Sequence, residues 1–106
     1  YGLSPGDANV LHTYSTILLH NGDYNSCSRI LEKAGVLEEK KLYPPELLRN
    51  LAWAYRNLGA KKKASQPYGL CWKFHLNGHG PLSKESQQEV KQYLTTTEKI
   101  ANGVNP

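Results

Sequence analysis

Apolar residues recur along this chain at helical spacing, in stripes that one face of a helix can bury. Val10, Leu11, Tyr14, Ile17 and Leu18 follow the i, i+3, i+4, i+7 pattern, and Asp7 ahead of Ala8 and Asn9 supplies a cap, so a first helix is expected from 8 to about 20. Asn21-Gly22-Asp23 ends it, because Gly accepts the left-handed conformation past a helix end and Asp opens the next helix. A second helix is expected over 24–34, with Cys27, Ile30, Leu31 and Ala34 inward and Gly35 as its stop. The 36–43 segment reads two ways, since Glu38-Glu39-Lys40-Lys41 suits either an extension of helix two or a solvated crossing.

Pro44-Pro45 marks a new helix start, where a missing amide donor does no harm. Leu47, Leu48, Leu51, Ala52, Ala54 and Tyr55 then form the broad apolar surface of an inner helix that runs to about Leu58. After Gly59 a fourth helix packs through Ala64, Tyr68, Leu70, Cys71, Trp72 and Phe74. Pro67 removes a backbone donor from it, so the helix is expected to kink near Gln66 or to start late with Ser65 as its cap. Asn77 to Pro81 is a loop. A fifth helix is expected over 83–101, with a narrow stripe of Val90, Tyr93, Leu94 and Ile100 and with Glu89, Lys91, Gln92, Glu98 and Lys99 turned outward. The 102–106 tail has no reason to be ordered.

Laid over each other at a 37-residue offset, Leu11/Tyr14/Ser15/Leu18/Gly22/Cys27/Leu31/Ala34 falls on Leu48/Leu51/Ala52/Tyr55/Gly59/Ala64/Tyr68/Cys71. Each set is an apolar stripe, a Gly turn and a second stripe. Asn50-Leu51-Ala52-Trp53-Ala54-Tyr55-Arg56-Asn57-Leu58-Gly59 with Ala64 and Tyr68 resembles the tetratricopeptide repeat, as does 7–34 with Cys27 and Leu31 at the family's Ala and aromatic positions. The resemblance implies an all-α fold: antiparallel helix-turn-helix units at 8–34 and 45–76, a capping helix at 83–101, and a right-handed superhelix with a concave groove. The 37-residue spacing exceeds the family's unit of about 34 residues, which places an insertion between Leu37 and Tyr43. Pro5 sits where a preceding repeat would end. Together with an opening Tyr1 and no Met, it suggests one domain cut from a longer chain.

First helices build the concave face in this family, so the resemblance makes His12, Thr16, His20, Arg49, Asn50, Trp53, Arg56 and Asn57 the candidate partner-binding residues. Trp53 is the sharpest of them, because it lies off the Leu48/Leu51/Tyr55 stripe with Arg49, Arg56 and Asn57 about one turn away. The competing reading packs Trp53 against a neighbouring helix pair. His12 and Thr16 stand where co-chaperone members place a Lys and an Asn to clamp a C-terminal carboxylate, which argues against that role.

Composition narrows the function further. Thirteen Lys and Arg against nine Asp and Glu give +4, less than a dedicated nucleic-acid binder carries. Lys61-Lys62-Lys63 reads as a solvated turn, with no aromatic residues interleaved. No apolar run reaches a membrane span and no leader is visible, so a cytoplasmic protein without membrane contact is expected. Cys27 and Cys71 lack metal-ligand spacing and fit as buried hydrophobes; no metal, cofactor or catalytic group is expected, and the chain reads as a non-enzyme. The expectation is a scaffold or assembly module that binds a peptide or helix of another protein. A small secretion-type chaperone and a nucleic-acid-binding helical module are the alternatives. Val10 and Tyr14, with no upstream helix to cover them, add self-association to the expected contacts.

Overall fold

Asp7 opens the first helix as its position demands: the carboxylate accepts from the amides of Asn9 at 3.0 Å and Val10 at 3.2 Å. Asp23 does the same for the second helix through Ser26 N at 3.3 Å. The resulting order is α1 (Ala8–His20), α2 (Tyr24–Ala34), a 3₁₀ turn (Glu39–Lys41), α3 (Pro45–Asn57), α4 (Lys61–Leu76) and α5 (Lys84–Ala101). The computed structural model describes residues 7–101, with side chains described for 7–95. Expectations for Pro5, Glu98, Lys99, Ile100 and the 102–106 tail fall outside those residues. No strand occurs among the described residues, and the chain is all-helical.

Glycine closes the helices in a shared way. Gly22, at φ 74°, donates its amide to Leu19 O while the Asp23 amide reaches Leu18 O. Gly59, at φ 80°, pairs with Arg56 O while Ala60 N–H reaches Tyr55 O. This double closure satisfies carbonyls that the last helical turn leaves open, and it recurs at Gly35-Val36 and Gly78-His79. After Gly22 and Gly59 the next helix begins two residues on.

The ambiguous 36–43 segment does not extend α2: residues 38–42 lie exposed, as a solvated crossing, with a buried residue near each end. The chain leaves α2 at Gly35 and tucks Val36 and Tyr43 into the core. The Tyr43 hydroxyl and the Lys41 ammonium both donate to Ala34 O at 3.2 Å, covering the C-terminus of α2. Of the two readings of the fourth helix, the late start with Ser65 as cap is overturned. α4 begins at Lys61 and continues through Pro67, and Ser65 Oγ donates to Lys62 O from the helix interior instead of capping. Pro67 is fully buried, so ring packing offsets the lost backbone bond.

α3 lies in the middle and touches all four other helices, and each helix also packs on its neighbour in sequence through α1–α2, α2–α3, α3–α4 and α4–α5. The interior is built from Leu31, Leu47, Leu48, Leu51, Tyr68 and Phe74, all almost fully excluded from water. α5 contributes Ser86 and Val90 to it. α1 leaves Tyr14 39% and Ile17 52% exposed beside a shallow depression lined by Asn9, Val10 and Thr13. No helix among the described residues is long and apolar enough to cross a membrane.

Candidate binding cleft

Polar residues on α1, α3, α4 and α5 join in one chain of hydrogen bonds. Asn50 on α3 donates from Nδ2 to Ser15 Oγ at 2.9 Å and Thr16 Oγ1 at 3.3 Å on α1, and its Oδ1 accepts from Arg49 Nη1 at 3.2 Å. Arg49 Nε and Nη2 both donate to Glu89 Oε1 on α5 at 3.1 Å. The other carboxylate oxygen of Glu89 accepts from the Tyr68 hydroxyl of α4 at 2.5 Å, and that hydroxyl accepts in turn from Arg56 Nη1 at 3.0 Å. Burial, and then the Glu89 hydrogen bond, hold the Tyr68 hydroxyl well above the usual phenol range, so it stays a donor. A network satisfied at every member rigidifies the face it underlies.

The network divides the sequence candidates. Trp53, Arg56 and Asn57 are brought together on one cleft. Arg49 stacks behind, its guanidinium carbon 4.6 Å from the centre of the Trp53 ring, and Asn57 Nδ2 donates to Trp53 O at 2.9 Å. Asn50 departs from the expected display: at 1% exposure it is a tie between α3 and α1, because its amide finds partners on both sides of that seam. Thr16 is drawn into the same seam. His12 stands 4.0 Å from Glu46 Oε2 and His20 is exposed in the last turn of α1; neither lines the cleft.

The cleft encloses about 530 Å³ where the C-terminal end of α3 and the start of α4 face α5. Trp53 and Tyr93 form its aromatic walls, Arg56 and Lys61 its cationic rim, and Asn57 and Gln92 add amides. The Tyr93 ring packs on Tyr68 with centroids 4.5 Å apart, and its hydroxyl donates to Lys61 O at 2.5 Å. Lys61, Glu89 and Tyr93 were not among the candidates. Glu89, expected outward, has only 19% of its side chain exposed, because two hydrogen bonds from Arg49 and one from Tyr68 draw it onto α3 and α4. Lys61 reads in sequence as part of a solvated turn and Tyr93 as one more position of an apolar stripe. Only the lie of α5 against α3 brings them to one place.

Chemically, the cleft presents two aromatic rings, a guanidinium, an ammonium, a carboxylate and two amides. No group of three His, Cys, Asp or Glu able to hold a metal occurs among the described residues. Burial pushes both free thiols, Cys27 and Cys71, up to about 12, which keeps them protonated and unreactive. Compared with family models, with curated proteins and with solved structures, the chain matches none.

Proposed function

We propose that the chain is a protein-binding module of the tetratricopeptide-like kind, with helix pairs 8–34 and 45–76 stacked as a right-handed superhelix and α5 as the closing helix. Its work is to hold a segment of a partner protein in the cleft between α3 and α5, in a scaffold or assembly role. One observation carries this: Trp53, Arg56 and Asn57 present an aromatic face, a guanidinium and an amide to a single cleft, on a helix whose other faces are buried. An aromatic wall next to donors and acceptors buries apolar side chains of a docked segment and fixes its register. The matching glycine closures after α1 and α3 support the pairing of helices into two similar units.

A selection of random peptides displayed against the native chain tests it. Selected peptides are expected to bind the native protein and to lose about tenfold or more in affinity for a Trp53→Ala variant that keeps its helical circular dichroism, as truncating an aromatic anchor does. An empty selection, or peptides indifferent to Trp53→Ala, overturns the proposal.

A further inference from the structure

The cations around the cleft are not equivalent. Arg49 is spent: two of its nitrogens donate to Glu89, and its side chain is only 23% exposed. Arg56 gives one hydrogen bond, to the Tyr68 hydroxyl, and lies 4.0 Å from the second Glu89 oxygen, with 43% of its side chain in water. A guanidinium has five N–H donors, so most of those of Arg56 are left over for a ligand. Lys61 goes further. It is exposed on the cleft rim, and no carboxylate among the described residues pairs with its ammonium. Glu89, the one anion in the wall among the described residues, is neutralised by Arg49, so the cleft offers net positive charge beside the two aromatic rings.

We infer that the partner segment held by this cleft, if it is a module of the kind proposed above, is acidic: an internal stretch whose Asp or Glu side chains meet Arg56 and Lys61 and whose apolar side chains lie on Trp53 and Tyr93. Charge complementarity selects this occupant. A basic segment would set its own cations against Arg56 and Lys61, and a neutral one would leave both charges covered without a counter-ion. A nucleic-acid strand needs cations in series along a groove. Here the wall carries Glu89, and Lys63, two residues past Lys61, lies over the Tyr55 ring at 5.4 Å. Glu89 also sets how much negative charge the cleft accepts, because it holds Arg49.

Lys61 separates a binding role from a structural one. It stands in the first turn of α4, where the helix dipole opposes a cation, so Lys61→Glu favours the fold while reversing the charge offered to a ligand. The test uses the displayed library with every peptide fused through its C-terminus, which withholds terminal carboxylates. Selected peptides are expected to be rich in Asp and Glu and to bind Lys61→Glu about tenfold more weakly, the value of a charge-assisted hydrogen bond, with no fall in melting temperature. Neutral or basic selected peptides, or acidic ones indifferent to Lys61→Glu, overturn the acidic assignment and leave the peptide-binding module standing. Recovery of no peptide, with a single-stranded oligothymidylate bound in its place, overturns both.

Discussion

Cys27 and Cys71 are fully buried, and burial raises each thiol from 9.0 to about 12, with the charge of Asp23 adding to the shift at Cys27 and those of Glu46 and Glu89 at Cys71. The sign of the consequence is fixed by linkage. Above pH 9 the unfolded chain releases these protons and the folded chain keeps them, so stability is level below that point and falls as pH rises toward 12. Each thiol contributes a slope of about 1.4 kcal/mol per pH unit in that window. Tyr55 and Tyr68, both raised by burial and by hydrogen bonds to carboxylates, extend the fall above pH 10. Urea unfolding at stepped alkaline pH checks this; a midpoint unchanged up to pH 11 would show that the thiols are not shielded. At this scale the cleft was only partly legible in the sequence. The Trp53, Arg56 and Asn57 set follows from helical spacing, whereas the placement of Asn50 depends on Ser15 and Thr16 from another helix, and that of Glu89 on residues 40 and 21 positions earlier.

Among the elements, α2 and α4 begin alike in backbone and unlike in chemistry. Asp23 has φ −89° and ψ 68° and caps α2 with its carboxylate; Ala60 has φ −91° and ψ 61° and gives α4 no side-chain cap. Three lysines then fill the first turn of α4 with no acidic residue among them. Ala60→Asp inherits a backbone already set for capping, and is expected to stabilise the protein by about 1 kcal/mol, with the added attraction of the helix N-terminus and the lysines. The urea midpoint should rise at constant slope, and an unchanged midpoint would count against a competent cap site. Stripes and caps made α1, α2 and α3 legible to within about a residue. The start of α4 reads two ways, because a proline inside a helical pattern signals either a kink or a break, and only the burial of Pro67 in the core shows why the helix runs on from Lys61. In the connector after α2 the charged residues lie in water as their chemistry indicates, whereas the burial of Val36 and Tyr43 on either side of them depends on the packed interior.

For the whole molecule, the central position of α3 and the edge positions of α1 and α5 imply unequal coupling to the common interior. α1 keeps an apolar stripe in water, and α5 packs chiefly on α4, with a thin contact to α3 reinforced by the Glu89 hydrogen bonds. An element attached along one side opens without dismantling the rest. The Glu89 carboxylate, which takes hydrogen bonds from Arg49 of α3 and from Tyr68 of α4, therefore acts as the clasp on a hinged edge. In amide hydrogen exchange, α3 should lose its protons only on global unfolding and α5 well before it, and Glu89→Gln should quicken α5 while leaving α3 at its original rate.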